Sequence, residues 1–287
     1  PTEADTFHPG AAPFGNFINY YSFNPPEKRI SLLPSDLLSV ISDSRRKRNV
    51  TVLDIGCNAG NLTEALFKHL TKVQLCENQE KDFKDQHSAS SGKTDRTAVD
   101  TAAAPNLCED SNSTLVLVNV LGCDIDEMLI RRANESNVHT DNIAFQTMDF
   151  MCNASRNSIL KDFLSRHPVA GGKVDLVCCF SITMWIHLQH GDAGLHKFLK
   201  EASLICRFLL VEPQPWKCYK SAVRRVRKVG VQNSWQFSEL SLREKVDEEI
   251  KNYLTSACQM ELVRTFGETH WERKLLLFRS IHDMESQ

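Results

Sequence analysis

A glycine-containing turn separates a short apolar run from a helical segment early in the sequence. It comprises Val50-Thr-Val-Leu-Asp54-Ile-Gly56-Cys-Asn58-Ala-Gly60. Glycines remove side chains where a ligand must touch the backbone, and Asn58 can adopt a positive φ at modest cost. The spacing differs from the G-x-G-x-x-G fingerprint of dinucleotide sites, and the acid at Asp54 disfavours a phosphate. We therefore predict a site for a cationic or amino-acid ligand, with an ordinary structural turn as the alternative.

Two further carboxylates follow apolar runs. Asp124 ends the run 115–123, where an acid can accept hydrogen bonds from both hydroxyls of a ribose. Asp149 and Phe150 follow the next run, and they could bind the amino group of an adenine and cover its ring. Acids commonly follow strands, so each one alone has a structural explanation. Three acids at successive strand ends favour a nucleoside site more strongly.

Apolar runs and helical periodicity alternate along the chain, which predicts a parallel sheet with helices on both faces. The near-continuous apolar run 115–121 is typical of a strand that is buried on both faces. We predict further strands at 50–55, 143–148, 174–180 and 208–211, and a final antiparallel pair at 260–266 and 274–279. Predicted helices cover 34–42 with Ser35 as cap, 62–70, 128–133, 158–165, 194–204, 218–228 and 239–257.

The segments between these elements suggest a domain organisation. Residues 1–30 are rich in Pro, Gly and aromatic residues, and we expect an irregular arm that contributes to the active site. Residues 31–280 form the main domain, and 281–287 form a tail. The polar stretch 76–113 has too few large apolar residues to offset the entropy of ordering, so we predict a disordered insertion. A short helix near 95–104 is the alternative.

Composition excludes several classes of protein. Hydrophobic content of 41% and charged content of 24% are ordinary for a globular chain. No run approaches the roughly 18 apolar residues of a membrane helix, and residues 1–10 lack the organisation of a secretory signal. Ten Cys are too dilute for a disulfide scaffold and include no C-x-x-C pair for zinc. We expect an intracellular monomer in the cytoplasm, with a nuclear fraction as the alternative.

Positive charge is concentrated in one segment, although the net charge of the chain is −2. A helix there would place most of these residues on one stripe, while Val223 and Val226 face the core. Such a stripe could bind an RNA backbone, and a solvated helix face is the alternative. Six of the twelve residues from 217 to 228 are basic: Lys217, Lys220, Arg224, Arg225, Arg227 and Lys228.

Three segments have the most specific sequence: Gly15-Asn-Phe17-Ile-Asn-Tyr20-Tyr21, Phe180-Ser-Ile-Thr-Met-Trp185-Ile-His187-Leu-Gln-His190-Gly-Asp192 and Leu210-Val-Glu212-Pro-Gln214-Pro-Trp216-Lys-Cys-Tyr219. Together they resemble the bicoid-interacting (Bin3) family of RNA 5′-end methyltransferases, and the resemblance extends from Phe14 to Arg279. It implies a Rossmann-like class I methyltransferase fold, in which a mostly parallel seven-stranded sheet ends in an antiparallel pair. It also implies S-adenosylmethionine as methyl donor and O-methylation of the 5′-monophosphate of precursor microRNAs and histidine tRNA.

The resemblance also implies roles for individual residues. Arg29 would neutralise the carboxylate of the methionine moiety, which a bidentate guanidinium does well, although a surface arginine is the alternative. With the residues of the glycine turn, the predicted donor site comprises Arg29, Asp54, Gly56, Asn58, Gly60, Asp124, Asp149, Phe150 and Phe180.

The acceptor chemistry needs no general base, because a terminal phosphate oxygen is already anionic and can attack the sulfonium methyl in line. No metal is expected. A related branch of the family acts on a 5′-triphosphate and has Thr-Lys-Trp where this chain has Thr183-Met184-Trp185. The absence of that lysine here fits an acceptor with fewer phosphates. The predicted acceptor groups are Tyr20, Tyr21, His187 and Gln214, with Lys217 and Arg273 as phosphate contacts.

Other functions remain open at this point. A methyltransferase for a small molecule or a protein would keep the same donor site, and an RNA-binding protein without activity could keep the fold. A nicotinamide dehydrogenase is disfavoured by the glycine spacing.

Overall fold

The computed structural model describes residues 12, 14–42, 49–72, 116–229, 235–269 and 272–281. The predicted insertion at 76–113 lies outside these residues, as does the predicted tail apart from residue 281. Within the described ranges, no helix has both the length and the apolar character needed to cross a membrane.

Seven strands in the described part of the chain form one sheet with the order β3-β2-β1-β4-β5-β7-β6. The first five pair in parallel, and β7 is antiparallel to both β5 and β6. The predicted fold class is therefore confirmed. The strands are β1 (Asn49–Ile55), β2 (Leu117–Asp124), β3 (Ile143–Thr147), β4 (Val174–Phe180), β5 (Cys206–Glu212), β6 (Met260–Glu268) and β7 (Lys274–Ser280).

Helices cover both faces of the sheet, and two clusters of buried apolar side chains fill the space between the layers. All seven positions of β4 are buried, as expected for a central strand that is covered on both sides. The helices are α1 (Tyr20–Phe23), α2 (Glu27–Ile30), α3 (Leu37–Ile41), α4 (residues 61–72), α5 (Glu127–Ser136), α6 (Asn153–Arg166), α7 (Thr183–Leu204), α8 (Trp216–Val229) and α9 (Val246–Ala257).

Several helix boundaries differ from the predicted ones. α7 begins at Thr183 rather than at residue 194, and Gly191 interrupts its geometry with φ 67° and ψ −173°. A glycine in that conformation breaks the periodicity, so only the second half was recognisable from sequence. α9 begins at Val246 rather than at residue 239, because the preceding residues form turns. Asp36, not the predicted Ser35, precedes α3, and it makes no capping bond through its side chain.

The arm at residues 14–30 crosses the carboxyl ends of β1 and β2. The side-chain amide of Asn16 donates to Asp126 Oδ2 (2.7 Å), and the amide of Asn58 donates to the carbonyl oxygen of Phe17 (3.1 Å). The arm contains the short helices α1 and α2, whereas irregular structure was predicted. These bonds place arm residues directly above the glycine turn.

Candidate active site

A cavity of about 300 Å³ lies at the carboxyl ends of β1 to β4. Ligands of open α/β sheets usually bind beyond the carboxyl ends of the strands, at the point where the strand order reverses, which here lies between β1 and β4. The arm forms the roof, and the first half of α7 forms one side. The cavity brings together residues that are more than 150 positions apart, such as Arg29 and Ser181.

The glycine turn after β1 lines the cavity with Gly56 and Asn58, whereas Gly60 is not among the lining residues. Gly56 and Gly60 have φ angles of 79° and 82°, and Asn58 has φ 52°. A Cβ atom on Gly56 would lie 2.9 Å from Ile182 Cδ1, and one on Gly60 would lie 2.6 Å from Phe145 Cζ. The positive φ angles favour glycine at both positions, and at Gly60 the packing against the Phe145 ring leaves no room for a Cβ atom.

Asp124, at the end of β2, is held by two backbone groups. Its Oδ2 accepts a hydrogen bond from the N–H of Asn58 (3.0 Å), and its Oδ1 accepts one from the N–H of Asp126 (3.0 Å). A carboxylate has about four acceptor positions, so capacity for further donors remains on the cavity side. Burial raises the pKa of Asp124, while these two backbone bonds oppose the increase.

Asp54 lies deeper in the same wall and is only 2% exposed. The hydroxyl of Thr63 donates to its Oδ2 at 2.6 Å. Burial raises the pKa of Asp54 to about 6, with a further increase from the nearby carboxylate of Asp124 and an opposing effect of the Thr63 bond. A cation bound beside Asp54 would favour its charged form.

Asp149 and Phe150 line the cavity beyond the end of β3. The N–H of Met151 donates to Asp149 Oδ1 (2.9 Å), which fixes the exposed carboxylate at the edge of the cavity. The Phe150 ring packs edge-on against Phe198, with centroids 5.3 Å apart, and lies 5.1 Å from the Arg156 guanidinium. The Phe150 ring thus gives the cavity wall a fixed apolar surface, and the neighbouring Asp149 carboxylate can accept hydrogen bonds.

Arg29 contributes the cationic part of the cavity wall. Its guanidinium is fully buried, and its Nε donates to Glu212 Oε2 at 2.9 Å. Its Nη2 donates to the hydroxyl oxygens of Tyr20 (2.7 Å) and Ser181 (3.0 Å). Burial has the largest single effect and favours loss of the proton, but the charge and hydrogen bond of Glu212 together with the two tyrosines outweigh it, so the pKa of Arg29 is raised. The predicted donor contact is therefore already part of an internal ion pair.

Ser181 joins a second arginine to this cluster. Arg273 Nη1 donates to Ser181 Oγ at 2.6 Å, and the Ser181 hydroxyl donates to Glu212 Oε2 at 2.6 Å. Two guanidinium groups and one carboxylate leave one net positive charge at this wall. Ser181 itself lines the cavity in a left-handed conformation (φ 56°), whereas Arg273 is not among the lining residues.

His187, predicted as an acceptor group, lies on the opposite side of α7 from the cavity. It is fully buried, with Nδ1 3.0 Å from the Tyr219 hydroxyl and Nε2 2.6 Å from Asp192 Oδ1. Burial lowers the pKa of His187, and Asp192 opposes this change. Both ring nitrogens are engaged, so the structure gives His187 a positioning role between α7 and α8 rather than a contact with the acceptor.

Gln214 is also occupied inside the wall. Its Oε1 accepts from the hydroxyl of Thr183 and from the N–H of Met184, both at 3.0 Å, and its Nε2 donates to the carbonyl oxygen of Ser181. The predicted contact between Gln214 and the acceptor is thus replaced by a supporting role. Met184 is 3% exposed in the core, so position 184 does not face the acceptor as the comparison with the related branch suggested.

The two predicted tyrosines both line the cavity. The Tyr20 hydroxyl accepts the bond from Arg29, and the Tyr21 hydroxyl donates to the carbonyl oxygen of Cys57 at 3.1 Å. Burial raises the pKa of Tyr21 well above its usual value, so the phenol stays neutral at ordinary pH. Tyr21 therefore closes the roof over the glycine turn as a neutral group.

The basic segment forms the exposed face of α8. Val223 and Val226 are buried as predicted, while the basic side chains lie on the other side of the helix. Lys217 is paired with Glu272, with Nζ and Oε2 2.5 Å apart, and both are exposed. Arg225 differs from its neighbours because its guanidinium lies 4.9 Å from the centre of the Phe17 ring. The residues with exposed side chains are Lys217, Lys220, Arg224, Arg225, Arg227 and Lys228.

No group of three or more His, Cys, Asp or Glu side chains in the described part of the chain is arranged to hold a metal ion.

Comparison with known proteins identifies the family. The family model for bicoid-interacting protein 3 (Bin3) matches residues 174–280. An RNA 5′-monophosphate methyltransferase of Pongo abelii is 41% identical over 99% of this chain and 86% of its own length. A pre-miRNA 5′-monophosphate methyltransferase of Xenopus laevis is 43% identical over 94% of this chain and 93% of its own length. The chain belongs to the Bin3 family.

Bin3 membership confirms that this chain is a methyltransferase. A more distant relative, the 7SK snRNA methylphosphate capping enzyme of Mus musculus, is 24% identical over 92% of this chain and 40% of its own length. Among solved structures, the N-methyltransferase NodS from Bradyrhizobium japonicum WM9 in complex with S-adenosyl-L-homocysteine aligns over 91% of this chain and 90% of its own, with a TM-score of 0.45 and 13% identity.

Several lining residues of this Bin3 protein were not predicted from its sequence. Ser181 and Ile182 lie within the quoted motif, but only their approach to Arg29 and Gly56 makes them part of the wall. Trp185 lines the cavity because the backbone of Gly15 packs directly against its indole ring. No periodic pattern in the arm indicates this contact, so the sequence had no signal for it.

Proposed function

We propose that this Bin3 protein binds S-adenosylmethionine in the cavity and methylates the 5′-monophosphate of small RNAs, including precursor microRNAs and histidine tRNA. One observation carries the proposal: a single cavity joins an acidic wall with Asp54, Asp124 and Asp149 to a wall that carries one net positive charge. The names of the relatives from Pongo abelii and Xenopus laevis, which are 41% and 43% identical to this chain, support the RNA 5′-monophosphate as acceptor.

The acidic wall fits the donor. Asp124 would accept hydrogen bonds from the ribose hydroxyls, and Asp149 with Phe150 would hold the adenine. Asp54 would balance the ammonium group of the methionine moiety. A volume of about 300 Å³ is at the lower end for small-molecule sites, which suits a site closed by a roof. When bound, S-adenosylmethionine supplies a methyl group on a positively charged sulfur.

The cationic wall fits an anionic acceptor. Arg29 and Arg273 together outweigh Glu212 by one charge, and both Arg29 and its partner Tyr20 line the cavity. A 5′-monophosphate carries about −1.5 to −2 charges at neutral pH, so its oxygen needs no deprotonation. The chain therefore contributes alignment and exclusion of water, with Tyr21 and the rest of the roof limiting solvent access.

The exposed basic face of α8 would bind the RNA backbone. Lys220, Arg224 and Arg227 have exposed side chains along one side of the helix. Contacts of this kind position a nucleic acid without reading its sequence, and they weaken as salt increases. The choice among small RNAs must then come from the shape of the RNA and from its 5′ end. We also expect a cytoplasmic monomer, with a nuclear fraction as the alternative.

The proposal is tested with one RNA prepared with a 5′-monophosphate, a 5′-triphosphate or a 5′-hydroxyl, incubated with methyl-labelled donor. We expect label mainly in the monophosphate form, and its release when a phosphatase that accepts methylated ends removes the terminal phosphate. Equal labelling of all three RNAs would place the methyl group on a base or ribose instead. Labelling of a protein or small molecule in place of RNA would favour the other methyltransferase classes, and binding of RNA without labelling would favour a non-catalytic protein.

A further inference from the structure

Phe14 occupies an unusual position at the opening of the cavity. Its side chain lines the cavity and is still 45% exposed. The backbone around it is fixed, because the N–H of Gly15 donates to the carbonyl oxygen of Ala12 (3.0 Å) and Gly15 packs against the Trp185 indole. An exposed aromatic ring is thus held at the entrance of the active site. Phe23, in the same arm, is 77% exposed but does not line the cavity.

The arm links the opening of the cavity to the basic face of α8. Phe17 follows Phe14 by three residues, and its ring carries the Arg225 guanidinium at 4.9 Å. The Arg225 side chain remains exposed, so this cation is accessible to an RNA backbone beside the arm. An RNA whose backbone follows α8 would therefore pass Arg225 and reach Phe14 with its first nucleotide.

We propose that Phe14 is the platform on which the base of the 5′-terminal nucleotide stacks while its phosphate enters the cavity. The inference rests on the proposed function and adds a binding site for the base. Stacking on an aromatic side chain is tolerant of sequence and changes affinity by about 5- to 100-fold per base.

The test compares wild type and Phe14→Ala on two RNAs with a 5′-monophosphate, one with a normal first nucleotide and one with an abasic first nucleotide. We expect Phe14→Ala to raise the KM for the normal RNA at least about fivefold, with little change in kcat or in the KM for the donor. Phe14→Trp should restore the KM. The abasic RNA should show the same KM with both enzymes, and Phe23→Ala should behave like wild type on both RNAs.

Two results would overturn the platform. An equal loss on the normal and abasic RNAs would show that Phe14 acts through the fold of the arm, and a raised KM for the donor alone would make Phe14 part of the donor roof. Failure of the wild type to methylate either RNA would instead contradict the proposed function. In that case, fluorescence anisotropy with the same four combinations still tests stacking, because it measures RNA affinity without methyl transfer.

Discussion

The pKa of the Asp54 carboxyl group is affected by its burial, by the hydrogen bond from Thr63 and by the neighbouring acid Asp124. Burial has the largest effect and raises the pKa to about 6. Asp54 is therefore partly protonated under mildly acidic conditions in which most carboxyl groups are charged. If the ammonium group of the donor binds here, the charged form of Asp54 is the one that binds it.

Donor affinity should consequently fall as the pH decreases through about 6. One pH unit below the pKa, only about a tenth of Asp54 is ionised, so we expect affinity for S-adenosylhomocysteine to be about tenfold weaker at pH 5 than at pH 7.5. Calorimetry should also show release of protons on binding near pH 6, because the bound cation lowers the pKa. Asp124 has a raised pKa and titrates in the same direction.

The control for this prediction is Asp54→Asn, which removes the titrating group and keeps the size of the side chain. This variant should bind the product more weakly at pH 7.5 and lose much of the pH dependence. A pH profile in Asp54→Asn as steep as in wild type would assign the titration to another group.

At the scale of single elements, α7 and α8 act as one unit beside the cavity. The first half of α7 lines the cavity, while its buried face holds His187 against Tyr219 of α8 at 3.0 Å. Asp192 extends this link, since its Oδ2 accepts the N–H of Ser241 at 2.8 Å. The orientation of the basic face relative to the cavity is therefore determined by buried polar contacts on the other side of the helix.

The basic face of α8 should control RNA affinity without affecting the donor. We expect Lys220→Ala with Arg224→Ala to weaken RNA binding and to reduce the slope of log affinity against log salt by up to about two, since each phosphate contact contributes about 0.7 to 0.9. Binding of S-adenosylhomocysteine should not change. Fluorescence anisotropy over a range of salt concentrations measures this slope.

A matched control removes two exposed lysines outside α8, Lys161 and Lys200. The double variant Lys161→Ala with Lys200→Ala has the same change in net charge. If it weakens RNA binding as much as the α8 variant does, the effect comes from overall charge rather than from this face.

At the scale of the whole molecule, the cavity connects parts of the chain that are distant in sequence. The arm, the ends of β1 to β4 and α7 all contribute to it, and Arg29 is paired with Glu212 at the end of β5. A ligand in the cavity should therefore stabilise the fold as a unit. Binding at 100 times Kd adds about 2.7 kcal/mol to the free energy of unfolding.

This increase should raise Tm by about 5–10 °C for a domain of this size, when S-adenosylhomocysteine is present at 100 times the wild-type Kd. Differential scanning fluorimetry measures the shift. Asp124→Asn should reduce it strongly because the variant loses the proposed ribose contact, whereas Asp141→Ala, at an exposed position before β3, should keep it. An undiminished shift in Asp124→Asn would contradict the ribose assignment.

Local sequence patterns determined the layout of this protein. Alternation of apolar runs and helical segments predicted the sheet with its antiparallel end, and the structure confirms it because burial on both faces of a parallel strand requires an apolar run. The glycine turn was predicted as a place where a ligand can touch the backbone, and Gly56 lines the cavity with a positive φ. The buried side of α8 followed from the spacing of Val223 and Val226.

Only the tertiary structure decided which polar side chains face the cavity. His187 and Gln214 both lie in the most distinctive motifs. His187 nevertheless points from α7 into the core, where it contacts Tyr219. Gln214 is hydrogen-bonded to Thr183 and to the backbone of Ser181. Ser181 is held at the cavity by Arg273, and Phe14 by the packing of Gly15 against Trp185. No local sequence pattern indicates either contact. Sequence periodicity reports whether a position is buried, but the direction of a buried polar group depends on partners that are far away along the chain.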